Sequence, residues 1–280
     1  MPTTPTGWMS YDSVADTYER VAVPWFAALA DDLIEAAQLR SGERVLDVGT
    51  GTGLAARAAR NSEAALWIVG VDPSSAMLSK VPIETLSAGV GAIAPGLPFA
   101  AASFDAVVAN LVLSHFADHA GGVRDIARVL RPGGRFACTA WRAAEPDGAG
   151  NVRAEADQIV ADVRAAHGLD LTPPDNAVPW EQWLKEPDNV RALLGGAGLN
   201  PVDIATHRSS WPFAIDEFLS GWGANSRYIR HAAGADRWRS FVDDAAAELH
   251  KRFGDRIEII SVAWIAVGHK APARRTHRHG

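Results

Sequence analysis

Cysteine is almost missing from this chain. Among 280 residues only Cys138 carries a thiol. No internal disulfide can form, a cysteine-rich zinc site is excluded, and the usage suits a reducing cytosol. Excess positive charge is missing too. The formal net charge is −6 and the isoelectric point is near 5.8, whereas a nucleic-acid partner calls for a basic surface that neutralises phosphates. The one basic run, "HKAPARRTHRHG", is polar and broken by proline, and reads as a disordered tail over residues 270–280. Nowhere do about 18 apolar residues run together, so no membrane span is expected. The opening "MPTTPTGW" lacks the basic and apolar regions of a secretion signal. Patterns of the HExxH, paired-cysteine and nucleophile-elbow type are absent, which speaks against resident metal and acyl chemistry. The expectation is a cytoplasmic chain with no nucleic-acid or membrane partner.

What is present is ordinary globular material. The composition is 48% hydrophobic, enough to bury one large core or one core with insertions. Residues 12–39 place apolar positions at helical spacing, and "VAVPWFAALADDLIEAA" predicts a helix with Pro24 near its start. Strands and helices then alternate. "RVLDVG", "LWIVGVD", "FDAVVANLVL" and "RFACTAW" read as strands, separated by the helices "LAARAAR", "SSAMLSKV" and "GGVRDIARVL". That rhythm means a mostly parallel sheet with helices on both faces. It breaks at residues 143–186, which read as an insertion, and resumes over 187–269 with "NVRALLGGAGL", "PVDIATHRSSW" and "RIEIISVAWIAVGH". A second helical insertion falls at about 214–252. Two late insertions are well placed to cover the carboxyl edge of the sheet, where ligands bind.

The stretch "VLDVGTGTG", residues 45–53, is a strand running into a glycine turn. Gly51, Gly53 and Ala56 meet the dinucleotide pattern G-x-G-x-x-A, and Asp72 lies about 20 residues further on. Asp47 tells against that reading. A carboxylate at the end of the strand would repel a pyrophosphate and favour a ligand with positive charge near the turn. S-adenosylmethionine carries an ammonium and a sulfonium and no phosphate.

The chain resembles a class I S-adenosylmethionine-dependent methyltransferase, of the small-molecule group that includes the ubiquinone-pathway enzymes. The resemblance rests on "VLDVGTGTG", "GVDPSSAML", "LPFAAASFDAVVANLVLSHFAD" and "VLRPGGRF", in that order within residues 44–141. It implies an α/β fold with a doubly wound, mostly parallel seven-stranded sheet of Rossmann-like type, helical insertions late in the chain, and a lid over residues 1–40. In that family Gly49, Thr50, Gly51 and Gly53 would approach the methionyl part of the cofactor. Asp47 would act near the ammonium, directly or through water. Asp72 would accept from both ribose hydroxyls, with Pro73 beside it; alternatively Asp72 caps a helix whose first residue is Pro73. Met77 would pack on the adenine or in the core. An acid often precedes the "LPF" stretch; here Ile93 stands at that place, so adenine would be read by backbone at Ile93 or Ala94.

Asn110 would lie beside the cofactor, and His115 would face the methyl group or be structural. Tyr11 and Tyr18 in "YDSVADTYER" resemble the lid tyrosines. Seven residues apart, they share one helical face, and a tyrosine near the sulfonium adds ~0.5–2 kcal/mol by cation–π attraction. Trp180 and Trp222 fall in the insertions and would line an apolar or aromatic acceptor pocket, with Asn225, Arg227 and Tyr228 as polar contacts. If the acceptor is a hydroxyl it needs a base, and His115, His119 and His231 are the candidates. The activity implied is methyl transfer to a small organic acceptor at O, N or C. The alternatives are a non-methylating reaction such as cyclisation on the same fold, and an NAD-dependent oxidoreductase.

Overall fold

The computed structural model describes residues 10–142, 152–171 and 178–273. The opening "MPTTPTGW", the rest of the first insertion and the tail from residue 274 lie outside them. Seven strands form one sheet in the order β3-β2-β1-β4-β5-β7-β6: β1 (Arg44–Val48), β2 (Trp67–Val71), β3 (Ala88–Val90), β4 (Phe104–Ala109), β5 (Leu130–Trp141), β6 (Leu199–Ala214) and β7 (Arg256–Lys270). The pairings from β3 through β5 are parallel, and β7 runs antiparallel between β5 and β6. Successive residues of β1 and β4 enter opposite cores. Leu46, Val48 and Val107 join one apolar cluster, while Val45, Ala106 and Val108 join the other. Burial on both faces is why these strands read as near-continuous apolar runs.

Short helical turns over Asp12–Val14 and Ala15–Thr17 lead through a π turn, Tyr18–Ala22, into α1 (Val23–Ala37). Pro24 explains the wide turn, since it has no N–H for the ordinary ladder and its ring crowds the preceding turn. α1 buries Phe26, Leu29, Ala30, Leu33, Ile34 and Ala37 at helical spacing. It is packed with α2 (Leu54–Ser62) on one face of the sheet. The helix stops at Gln38, in left-handed conformation. Arg135 on β5 closes that end. It donates to the carbonyls of Ala37 and Gln38, and its guanidinium grips Glu43 at 2.9 and 2.6 Å. A cation on exposed helix carbonyls also answers the dipole.

On the other face lie α4 (His119–Val129), α6 (Glu181–Leu184) and α7 (Pro187–Gly196). The helix expected over "SSAMLSKV" shrinks to α3 (Ser75–Leu78), capped by Ser74 Oγ accepting from Met77 N at 3.1 Å. The strand expected over "FDAVVANLVL" ends at Ala109. A further correction concerns the tail read from residue 270. Lys270 is the last residue of β7, and its Nζ donates to the carbonyls of Ala127 and Leu130, each at 2.7 Å.

β6 and β7 pair from Leu199↔Lys270 to Ala214↔Arg256, but β5 covers only His269 to Ala263 of β7. The distal half of the hairpin therefore projects past the parallel sheet. Upon it pack α5 (Val152–Ala166) from the first insertion, and α8 (Ile215–Phe218), α9 (Ala224–Ala233) and α10 (Ala235–Phe253) from the second. The two insertions share one apolar cluster, which includes Ala156, Phe213, Ile215, Phe241, Leu249 and Ile257. No described helix is long and apolar enough to cross a membrane.

The Arg135–Glu43 pair is only 11% and 15% exposed. Arg135→Met is expected to lower the unfolding free energy by about 2–4 kcal/mol, because a buried carboxylate and helix end lose their donor. An unchanged urea midpoint would show that the pair holds nothing.

Candidate functional site

Strands β1, β2 and β4 are parallel and in register, with Asp47 opposite Gly70 and Val108. Their carboxyl ends therefore deliver the glycine loop, Asp72 and Asn110 to one edge of the sheet. The loop is tied down first by backbone. Gly49 N and Thr50 N both donate to Val71 O, at 2.8 and 3.0 Å, and Gly53 N donates to Thr50 O at 2.8 Å. Gly49 has φ +69°, and a Cβ there would run into Val112. Gly51 also has positive φ, +53°, yet nothing lies within 4 Å of where its Cβ would be. Bare backbone at Gly51 thus faces open space, as a close approach to a ligand requires.

Two acids flank that space. Asp47 is 1% exposed. Its Oδ2 accepts from Thr50 Oγ1 at 2.7 Å, while its Oδ1 is buried without a hydrogen-bond partner. Burial pushes its pKa up to about 7, against the Thr50 hydroxyl and the Ala56 N–H, and Asp72 adds to the rise. Asp72 Oδ1 accepts from Ser74 N at 2.9 Å and Oδ2 from Gly51 N at 3.0 Å. Burial raises its pKa as well, opposed by those same two donors. Each carboxylate oxygen takes about two bonds, so both Asp72 oxygens keep capacity for a diol. The helix that follows is capped by Ser74 and not by Asp72, which removes the alternative reading of Asp72.

The N-terminal segment is drawn over this edge by its own acids. Asp12 Oδ1 accepts from Ser74 Oγ at 2.5 Å and Ala76 N at 3.3 Å, and Oδ2 accepts from Ser10 Oγ at 2.9 Å. The Ser74 hydroxyl is the main reason its pKa is lowered. Asp16 meets Lys80, and Glu19 meets Arg57 at 3.0 Å. Sequence reading missed this latch, although Asp12, Asp16 and Glu19 recur at helical spacing on one face. The segment brings Tyr11 edge-on to Tyr18 and His115, with ring centres 5.9 and 5.8 Å apart. Tyr18 meets Trp222 at 5.6 Å. Burial raises the pKa of the Tyr18 phenol, and the nearby Tyr11, Asp72, Glu19 and Asp47 raise it further. Arg227, 4% exposed, stands 4.0 Å over the Tyr11 ring and donates to Trp222 O at 2.7 Å.

Asn110 Oδ1 accepts from Thr139 Oγ1 at 2.7 Å, and the same Oγ1 accepts from Leu111 N at 2.8 Å. His115 closes the short turn Leu113–His115 after β4. Ala94 is buried and Ile93 half-buried. Their loop is fixed by Asp125, which accepts from Gly96 N and Leu97 N at 2.7 Å each. Burial acts to raise the Asp125 carboxyl, but these N–H groups and Arg128 hold it below its usual range. Met77 is buried at 3% exposure, and Pro73 is exposed.

Four of the expected residues sit elsewhere. Trp180 is not a pocket wall: Nε1 donates to Phe116 O at 2.8 Å, and its ring lies 3.7 Å from that of His119. It packs between α4 and α6, and burial lowers the pKa of His119 beneath it, with Asp118 opposing. His231 is exposed in the last turn of α9. Arg227 and Tyr228 do not line the cap cavity. That cavity, about 430 Å³, lies among α5, α8, α9 and α10, with Trp25, Phe213, Phe218, Trp222, Trp238 and Phe241 as its rings. Asn225 lines it as well. Tyr18, Trp25, Phe26, Trp141 and Trp222 touch ring to ring, and so link the lid to the cavity wall.

Comparison with known proteins bears on what this edge holds. Residues 46–138 match the family model described as methyltransferase domain. A demethylmenaquinone methyltransferase of Mycolicibacterium vanbaalenii is 40% identical over 102 residues, covering 36% of this chain and 43% of the relative. The chain thus spans less than half the length of that relative. The crystal structure of YcgJ from Bacillus subtilis superposes with a TM-score of 0.55 at 22% identity, over 88% of this chain and all of the other. The cyclase SpnF superposes with a TM-score of 0.51 at 21% identity, over 88% of this chain and 82% of its own. At such identities the likeness is one of fold. Residues 46–138 therefore resemble a methyltransferase domain, and the chain shares the α/β fold of the solved structures above.

Proposed function

We propose that the chain binds S-adenosylmethionine along the glycine loop and transfers its methyl group to a small organic molecule held in the cap cavity. One observation carries the reading. Asp47 is a buried carboxyl with one oxygen unpartnered, beside open backbone at Gly51. A buried acid without a counter-charge is costly, and an ammonium is the group that relieves it. A dinucleotide would bring phosphates toward Asp47 instead. The same acidity and the net charge of −6 support the exclusion of nucleic acid as a partner.

The cofactor supplies an activated methyl on a good leaving group. The chain's own residues bind and align. Asp47 holds the ammonium, Asp72 the ribose hydroxyls, and backbone at Ile93 or Ala94 the adenine, with Met77 one turn away. Gly49, Thr50 and Gly53 shape the loop, and Pro73 starts the turn after Asp72. Tyr11 and Tyr18 close over the sulfonium side, with Asn110 at the adjoining strand end. Alignment of this kind is worth ~7–11 kcal/mol without any acid or base. For a hydroxyl acceptor, His115 is the base: it faces Tyr11, whereas His119 is stacked beneath Trp180 and His231 faces solvent. The ring-lined cavity supports an apolar or aromatic acceptor, with Trp222 and Asn225 as contacts; Arg227 and Tyr228 act from outside it. A cytoplasmic location fits the single thiol, Cys138, whose pKa burial pushes up to about 12.

Calorimetric titration of the purified chain should give micromolar binding of S-adenosylhomocysteine and none of NAD; the reverse would make this a dinucleotide domain. Asp72→Ala should weaken the first by at least about tenfold, since two charge-assisted bonds are lost. Because SpnF has this fold and is a cyclase, turnover must be read as release of S-adenosylhomocysteine. Product without that release would replace methyl transfer by the cyclisation reading.

The raised pKa of Asp47 gives a pH dependence with a definite sign. Below about 7 the carboxyl is protonated and has little attraction for an ammonium, so affinity should rise as pH goes from about 6 to about 7.5. Asp47→Asn should bind more weakly and with a flat profile. A profile of the same slope in that variant would assign the titration to another group. Asp12→Ala should speed S-adenosylhomocysteine dissociation about threefold to tenfold by loosening the lid. An unaltered off-rate in stopped flow would mean that the latch plays no part in retention.

A further inference from the structure

The cap cavity carries charge as well as rings, and its charges are unevenly matched. Arg153, Asp157, Arg164 and Glu217 all line it. Arg153 Nε donates to Asp157 Oδ2 at 2.9 Å, one turn along α5, and its guanidinium stands 5.9 Å from the Phe218 ring. Glu217 Oε2 accepts from Ala214 N at 3.1 Å, at the start of α8. Both carboxylates thus have a donor supplied by the protein. Arg164 is matched less well. Its acid among the described residues is Asp170, 3.8 Å away and 81% exposed, and so solvated a pair holds little. Arg164 Nε is buried with no hydrogen-bond partner. A guanidinium keeps its charge at any working pH, and a buried donor left unpaired is unfavourable.

We propose that this cavity takes a planar aromatic acid, with fused rings among the Trp and Phe side chains and the carboxylate on Arg164. The inference rests on the acceptor reading above for the ligand's role, though not for its binding. Rings arrayed as these are offer faces and edges to a flat π surface, and about 430 Å³ falls in the range of pockets that enclose a ligand of several rings. An aromatic box also suits an organic cation. Here, however, the protein's own Arg153 already approaches Phe218, Asp157 and Glu217 already accept from protein donors, and Arg164 adds a second positive charge about three turns along α5. An ammonium meets like charge where a carboxylate meets a two-pronged donor of matching geometry.

The test is calorimetry on the full chain with three probes of one ring size: naphthoate, naphthalene carboxamide and a naphthyl trimethylammonium ion. S-adenosylhomocysteine is titrated separately. Naphthoate is expected to bind at least about tenfold more tightly than either of the others, the lower bound for a charge-assisted contact. Arg164→Gln, checked by thermal unfolding, should erase that preference, and Arg164→Lys should keep part of it. Should the Gln variant fail to fold, the ranking of the probes on the unaltered chain decides. Equal or tighter binding of the carboxamide or the ammonium ion overturns the proposal, as does an unchanged naphthoate affinity in Arg164→Gln, or no binding of any probe. Naphthoate bound without S-adenosylhomocysteine would count against the methyl-transfer reading alone; the opposite pattern would count against the aromatic acid alone.

Discussion

Asp47 is a carboxyl at 1% exposure with one oxygen unpaired, and most of what surrounds it is arranged to tolerate that. An isolated buried charge is costly enough that such groups are paired or shift their pKa. The fold provides a hydroxyl from Thr50 and the Ala56 N–H in the first turn of α2, where the helix dipole favours negative charge. These leave the pKa at about 7 rather than restoring an ordinary value. The carboxyl thus keeps a raised pKa, and a cationic ligand would supply what these donors do not. The strain-tolerant glycines beside it matter for the same reason: a side chain at Gly51 would occupy the space from which that ligand approaches.

The electrostatics extend beyond one residue. Asp12 and Asp72 are joined through Ser74, which donates its hydroxyl to the first and its backbone N–H to the second. Lid and Asp72 therefore share one residue at the start of α3. Asp16 and Glu19 are neutralised by Lys80 and Arg57, but among the described residues Asp47 and Asp72 accept from hydroxyl and backbone N–H groups and not from a cation. The floor of the edge is negative, in a cleft where low dielectric strengthens the field. A cationic ligand without phosphate is the class this field selects. The G-x-G-x-x-A spacing alone points the other way, because it encodes the backbone path and not the charge.

Much of this was legible in the chain. The alternation of apolar runs with amphipathic helices yields the parallel part of the sheet, since period and burial are local properties of the sequence. Asp47, Asp72 and the glycines follow from the same local pattern, because a strand end fixes what comes next. What escaped reading is non-local. β6 and β7 are long because two insertions, distant in sequence, need a common surface to pack on. Trp180 was misassigned because an aromatic residue in an insertion looks the same whether it lines a pocket or covers α4. His231 fails for a similar reason: α9 turns its Arg227 face inward and leaves the last turn in solvent. The latch of Asp12 on Ser74 joins residues 62 apart, and only the acidic spacing in "YDSVADTYER" hinted at it.

The lid and the cap are not independent structures. Arg227 belongs to α9 of the cap, yet its guanidinium lies on Tyr11 of the lid and donates to the carbonyl of Trp222. Trp222 in turn lines the cavity and touches Tyr18. One buried cation therefore links a ring above the glycine edge to a ring in the cavity wall. Any ligand that moves Trp222 changes the support of Tyr11, and any ligand that orders Tyr11 and Tyr18 fixes one wall of the cavity. By linkage such coupling is reciprocal for binding.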